Sequence, residues 1–322
     1  MHVAVLLVVS IAPAAAFLLL ILRMDRAEPE PLRAVMKIVA LGGASAIVAA
    51  FVEAVLKKWP VFQAPGVAGA AITSFVLIAT VEEACKLGVV LLFAWGMPSF
   101  NEENDGIVYT GAAAIGFAGL ENIGYVITGG LSVAAARAFL SVPMHVLSAV
   151  IMGLFVGKAK FAENDGARVR LVLAGFLFAW MVHGLYDTLA LSRSGLSLLL
   201  LPLVGGVAAL GIIALRKGRR MSLLRWSALP LARKAVPGHL AAARSHRWMP
   251  VISRTLLAAS ALFWAFLAIG TASGKDRSRL GTALLGGVVI TFLPLLIGIL
   301  VEVSYQRKRR AGAEAGTHST AT

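Results

Sequence analysis

From Val3 onward the chain repeats one pattern: about twenty apolar residues, a short polar link, then another apolar stretch. About nine such stretches can be marked, at 3–22, 35–56, 66–95, 107–127, 133–156, 169–191, 196–215, 251–269 and 280–303. Each is long enough to cross the hydrocarbon core as an α-helix. In lipid, only helices and closed barrels satisfy the backbone polar groups. The pattern therefore predicts an all-α, polytopic membrane helical bundle.

The links between the stretches set the orientation. Arg23, Arg26 and Arg33 follow the first span, and Arg216, Lys217, Arg219, Arg220, Arg225, Arg233, Lys234, Arg244 and Arg247 follow the seventh. Lysine and arginine concentrate on the cytoplasmic side, which predicts an N-terminus outside and a C-terminus in the cytoplasm. Lys57-Lys58 and the Lys275–Arg279 link fall on the outer side and are exceptions. Met1-His2 offers no basic leader, which argues against a cleaved signal peptide although Ala14-Ala15-Ala16 mimics a cleavage site. The domain reading is a membrane-embedded unit over 1–215, a basic cytoplasmic loop over 216–250, two further spans over 251–303, and a basic, disordered tail over 304–322.

Composition agrees. The 322 residues are 59% hydrophobic and 14% charged, with mean hydropathy +0.84, well outside the soluble range. The net charge of +14 sits in the links, so it points to orientation and to anionic lipid at the basic loop rather than to nucleic acid. A single cysteine, Cys85, excludes an intramolecular disulfide framework and the cysteine-rich zinc patterns, and reads as a small packing residue.

Ionisable residues inside the apolar stretches change the picture most. The third span carries Glu82, Glu83 and Lys86; the fourth Glu121 beside Asn122; the fifth His145; the sixth His183 and Asp187. A charge at bilayer centre costs about 2.5–3.5 kcal/mol on insertion scales, so such groups are rare and functional by default. At 1.5 Å per residue, Glu82, Glu121, His145 and His183 fall within roughly 6 Å of a common depth. One shared polar cavity would satisfy all four. Glu53, four residues before Lys57, is explained by an interfacial ion pair.

Helical spacing adds chemistry. At about 100° per residue, Lys86 projects between Glu82 and Glu83. Two carboxylates this close cannot both ionise easily, which leaves one able to take up a proton. That is the property a general base for water needs, and spacing does not say which glutamate has it. Asp187 lies one turn from His183 and can orient its imidazole. Two histidines with Glu121 or one of the paired glutamates would make a His₂Glu site of the hydrolytic zinc type.

Several protease signatures are missing: no His-Glu-x-x-His occurs, and no Gly-x-Ser-Gly accompanies a histidine. What is present is Glu82-Glu83-x-x-Lys86, then Asp105-Gly106-Ile107-Val108-Tyr109, then Phe117-x-x-x-Glu121-Asn122. Arg137 with Pro143-x-His145 follows, and His183-Gly184-Leu185-Tyr186-Asp187 closes the series. In that order, over about 70–190, the chain resembles the PrsW family of intramembrane proteases, a branch of the group containing CAAX-processing and bacteriocin-immunity membrane proteases. The resemblance implies a peptidase of a bacterial-type plasma membrane acting on membrane-anchored proteins such as anti-sigma-factor-like regulators. By it, Glu82 and Glu83 would activate water, and His145 and His183 would bind zinc or stabilise an oxyanion. Lys86, Glu121, Asn122 and Asp187 would support them, with His145, His183 and Glu121 as provisional metal ligands. A metal-free glutamate–histidine mechanism is the other form the wider group suggests, and no further cofactor is implied. Two rival readings from the residues are a proton- or cation-coupled transporter and a non-catalytic scaffold whose polar core only fixes helix pairing.

Overall fold

The computed structural model describes residues 3–25, 28–192 and 194–227, and all of its regular elements are helical. The expected spans at 251–269 and 280–303, the rest of the basic stretch and the tail lie outside the described residues. The helices are α1 (Val3–Met24), α2 (Leu32–Leu56), α3 (Gly66–Ile72), α4 (Thr80–Val89), α5 (Glu103–Ala136), α6 (Val142–Lys160), α7 (Asp165–Leu191) and α8 (Leu200–Ser227). Among the described residues, four stretches are long and apolar enough to cross a membrane, Leu32–Leu56, Ser132–Lys160, Asp165–Leu191 and Gly195–Arg225; Val8–Met24 is a shorter apolar helix.

The third apolar stretch is not a uniform helix. Wider π-helical turns, Thr73–Ala79 and Val90–Ala94, flank α4 on both sides, and a third, Arg137–Ser141, leads into α6. A π turn shifts each bond to the fifth residue back and leaves carbonyls to be satisfied otherwise. Here the Phe75 carbonyl accepts from the Thr80 hydroxyl at 2.7 Å and from the Trp180 indole of α7 at 2.9 Å. The turn before α6 comes just ahead of Pro143, which has no N–H to give to a regular ladder.

The α5 helix is the frame of the bundle; its backbone leaves helical geometry at Gly130 (φ 72°), and from Ser132 the chain runs on through the π turn into α6. It packs against α6, α2 and α1, while α4 packs on α2, α5 and α7, and α6 on α7 and α8. Two seams of α5 bring backbone onto backbone. A Cβ at Gly116 would enter the Val39 carbonyl of α2, and one at Gly157 of α6 would enter the Glu103 carbonyl. Gly106 and Gly153 extend the second seam. Small residues permit such approaches, which in lipid are a main source of helix association. On the far side of α6, Met144, Leu147, Val182, Tyr186, Val204 and Val207 form an apolar cluster shared with α7 and α8.

The Asn164 side chain caps α7, accepting from Ala167 N at 2.8 Å. At the start of α5, Asp105 Oδ2 accepts from Glu102 N, and Asn104 bonds Asp25. One expectation is modified. The basic stretch expected as a loop from 216 starts as helix: α8 continues through Arg216, Lys217, Arg219, Arg220 and Arg225 to Ser227. Long cationic side chains at a helix C-terminus suit the macrodipole, which removes any need for the helix to stop at Leu215.

Candidate active site

Four helices bring ionisable side chains to one buried place. From α4 come Glu82, Glu83 and Lys86, all at most 4% exposed. The Lys86 ammonium lies 2.7 Å from Glu83 Oε1 and 3.4 Å from Glu82 Oε2, between the two carboxylates as the helical spacing requires. It also lies 2.9 Å from His145 Nδ1 on α6 and 4.5 Å from the centre of the Phe117 ring on α5. A cation over an aromatic face gains from the ring quadrupole, and more so when desolvated.

The imidazoles complete the centre. His183 of α7 has both ring nitrogens engaged: Nδ1 is 2.7 Å from Glu83 Oε1, and Nε2 is 3.3 Å from Asp187 Oδ2 and 3.7 Å from Glu82 Oε2. His145 Nε2 is 3.2 Å from Glu121 Oε2. The two rings meet edge to face, 4.8 Å apart at 89°. Glu82 Oε2 is the point on which they converge, 3.9 Å from His145 Nδ1. Glu83 is more fully tied, yet its Oε2 is buried without a hydrogen-bond partner among the described residues.

Glu121 and Asn122 of α5 form a flank rather than the centre. Arg137 pairs with Glu121 at 2.9 Å, and its Nε donates to Asn122 Oδ1 at 2.8 Å. Asn122 Nδ2 donates in turn to the Ser10 carbonyl of α1 at 2.6 Å. Arg137, read in the sequence only as part of a motif, is thus the cation that compensates Glu121. Its signal was its position within an apolar stretch. Glu53 and Lys57 form the expected pair at 3.4 Å. Cys85 is free and buried.

The donor set suits a hydrolytic metal. Glu82, His145 and His183 each offer one atom, and these atoms lie within 4.8 Å of one another. Two imidazole nitrogens and one carboxylate oxygen are what catalytic zinc uses in a common open site. Of the carboxylates expected beside the two histidines, Glu82 is the one whose oxygen lies with both imidazoles, while Glu121 faces His145 from the Arg137 side. An apolar groove of 460 Å³ runs between α2 and α5, lined by Ala46, Ala50, Gly124, Tyr125 and Thr128 among others, and reaches Glu121.

A membrane-type helical bundle with a buried carboxylate–imidazole–ammonium centre defines a class of intramembrane enzyme rather than a simple anchor. Comparison with known families identifies which: the profile of the PrsW family intramembrane metalloprotease matches residues 30–215, and the chain belongs to that family. Relatives named Protease PrsW include that of Bacillus subtilis, 32% identical over 215 residues, covering 67% of this chain and 96% of the relative. That of Geobacillus kaustophilus is 37% identical over 183 residues, 57% of this chain and 78% of the relative. That of Clostridioides difficile is 32% identical over 167 residues, 51% and 69%. No solved structure matches. The chain is accordingly a peptidase of the intramembrane type, with metalloprotease as its family's classification, and the transporter reading is not favoured.

Proposed function

We propose that the chain hydrolyses a peptide bond of a membrane-anchored protein by glutamate-activated water, with Glu82 as the proton acceptor. The observation that carries this reading is the approach of Glu82 Oε2 to Lys86, His183 and His145 at 3.4, 3.7 and 3.9 Å. Glu83 is the poorer acceptor, since its Oε1 is already held at 2.7 Å by both Lys86 and His183. In the reaction, Glu82 takes a proton as the water oxygen bonds to the scissile carbonyl carbon. It returns that proton to the amide nitrogen as the C–N bond breaks, leaving a carboxylic acid and an amine. Asp187 and Glu83 orient His183, and Glu121, Asn122 and Arg137 fix the side from which His145 is reached.

The residues that would hold a zinc ion are His145 and His183, with Glu82 or, across His145, Glu121. When bound there it supplies a Lewis acid for the carbonyl oxygen. In the metal-free form of the same reading, the two imidazoles donate hydrogen bonds to the oxyanion. A substrate segment approaches along the groove between α2 and α5. The substrates are membrane-anchored regulators of the anti-sigma-factor kind, by the family resemblance alone.

The arginine and lysine distribution supports a multi-pass protein of about nine helices in a bacterial-type plasma membrane, N-terminus outside and C-terminus inside. On that reading residues 1–215 form the protease unit, the stretch 216–250 lies on anionic headgroups, and 251–303 adds two helices before a cytoplasmic tail at 304–322. The test uses a tagged single-span membrane reporter that the parent chain cleaves in proteoliposomes. Glu82→Gln lowers the cleavage rate about 10²–10⁴-fold, the usual contribution of a general base. Undiminished cleavage by a folded Glu82→Gln/Glu83→Gln variant overturns the proposal.

A further inference from the structure

Each of the three π turns lies close in sequence to a group of the charged centre. The turn Thr73–Ala79 ends three residues before Glu82, Val90–Ala94 begins four after Lys86, and Arg137–Ser141 ends four before His145. Such turns occur frequently at functional sites. The first of them is held from outside its own helix. Trp180 of α7 donates its indole N–H to the Phe75 carbonyl at 2.9 Å and to the Thr80 hydroxyl at 3.1 Å. That hydroxyl donates to the same carbonyl at 2.7 Å. The Phe75 and Trp180 rings meet edge to face with centres 5.0 Å apart. Gly184 of α7 makes room for the Phe75 ring, since a Cβ there would come within 2.3 Å of it.

This node adjoins the centre on both helices. Trp180 and Gly184 stand three residues before and one after His183, while Thr80 stands two before Glu82 and three before Glu83. All are therefore within about one helical turn of the contacts between carboxylate and imidazole. Those contacts are Glu83 Oε1 to His183 Nδ1 at 2.7 Å and Glu82 Oε2 to His183 Nε2 at 3.7 Å. A π turn takes up one residue more than an α turn, so closing Thr73–Ala79 to regular geometry would rotate α4 by about 100° against what precedes it. Both carboxylates would swing off the His183 side. The indole and the hydroxyl supply the Phe75 carbonyl with donors from outside the backbone ladder, which favours the open turn over the closed one. Lipid offers an indole N–H no water in exchange, so the contact is needed from both ends.

On the reading that Glu82 is the proton acceptor, we infer that Trp180 is a positioning residue for the hydrolysis. By holding the Phe75 carbonyl and the Thr80 hydroxyl it sets the rotation of α4, and with it the direction from which Glu82 and Glu83 meet His183. It acts through α4 and needs no contact with the substrate.

The test measures cleavage of the tagged membrane reporter in proteoliposomes by the parent, Trp180→Phe, Thr80→Val and Thr80→Ser, with unfolding temperatures alongside. Trp180→Phe keeps an aromatic ring beside Phe75 and loses the N–H donor. Its kcat falls at least about tenfold with KM within about twofold, because misplacing a reacting group by about 1 Å costs on the order of 10²-fold. Thr80→Ser keeps the hydroxyl and the parent kcat; Thr80→Val, at an exposed position, falls in the same direction as Trp180→Phe and serves if that variant does not fold. Gly157→Ala strains the α5–α6 seam instead, and lowers the unfolding temperature without this loss of kcat. A second readout is the ¹⁵N resonance of the His183 imidazole in detergent, assigned with His183→Asn. It moves in Trp180→Phe and stays in place in Gly157→Ala. Parent kcat in folded Trp180→Phe and Thr80→Val overturns the inference, and so does a slower variant whose His183 resonance is unmoved. Failure of the proton-acceptor reading shows separately, as undiminished cleavage by Glu82→Gln, and the resonance then still decides whether Trp180 sets the rotation of α4.

Discussion

Lys86 is the residue whose removal the geometry makes most costly to the fold. Its ammonium is fully buried and sits 2.7 Å from one carboxylate and 3.4 Å from another. At an effective dielectric of 20, these two attractions are gross terms of about 6 and about 5 kcal/mol. Desolvation of the three charges consumes much of that sum, so the pair as a whole adds little net stability. Breaking it from one side is different, because both carboxylates then remain buried without their cation. Lys86→Met, which keeps the stem volume, should lower stability by about 3–5 kcal/mol. Adding Glu83→Gln removes the more tightly held carboxylate charge and should return about 1–3 kcal/mol, a coupling of the size expected for groups in contact. The assay is equilibrium or thermal unfolding of the detergent-solubilised chain, comparing parent, both single variants and the double variant. A Lys86→Met cost below about 0.5 kcal/mol, or strictly additive losses in the double variant, would refute the argument.

Other outcomes follow from the same contacts. Gly157→Ala forces a methyl group into the Glu103 carbonyl of α5 and should cost about 1–3 kcal/mol, read as a lower unfolding temperature, whereas Gly124→Ala, which meets nothing within 4 Å, should be nearly silent. Elemental analysis of the purified parent should find zinc near one equivalent, lost from a folded His145→Ala/His183→Ala variant; equal zinc in both would move the metal elsewhere. Arg137→Gln strips Glu121 of its cation and should slow cleavage of the reporter while leaving the zinc content unchanged, measured side by side. Burial pushes the Glu30 carboxyl up to about 7, so it binds a proton in the folded chain that the unfolded chain releases. Stability contributed there is full below about pH 4.5 and lost as pH rises toward 7, a change of at most about 3 kcal/mol. Unfolding temperatures across that window should fall in the parent and flatten in Glu30→Gln.

What could be read from the chain alone followed the distance over which each signal acts. Glu82, Glu83 and Lys86 are neighbours on one helix, so their mutual geometry was visible in the spacing. His183 and Asp187 share a face for the same reason, and their contact is present at 3.3 Å. The meeting of His145 with Lys86 is 59 residues apart in sequence, and depth in the apolar stretches brought the two only to the same level. The π turns left no trace in the hydropathy pattern, because a wider turn changes the hydrogen-bond partner and not the residue type. Helix ends moved for a similar reason: apolar length marks the lipid-facing part of a helix, while α5, α7 and α8 continue into polar sequence. The acidic cluster at the start of α5 was missed altogether: Asp25, Glu28 and Glu30 lie in a link whose arginines set the orientation, and the chain gives no local sign that they meet Asp105.

The two seams of α5 divide this helix into parts with different freedom to change. Along Gly106, Gly116, Gly153 and Gly157, the backbones touch so closely that any side chain would push the helices apart. Those positions are frozen in sequence for as long as the bundle keeps its shape. Higher on the same helix, around Gly124, a side chain would meet nothing, and Ala46, Ala50 and Thr128 border open space. The walls of the groove can therefore be redrawn residue by residue while the charged centre stays on a frame that does not move. A lineage could vary what reaches Glu121 without risking the geometry around Glu82.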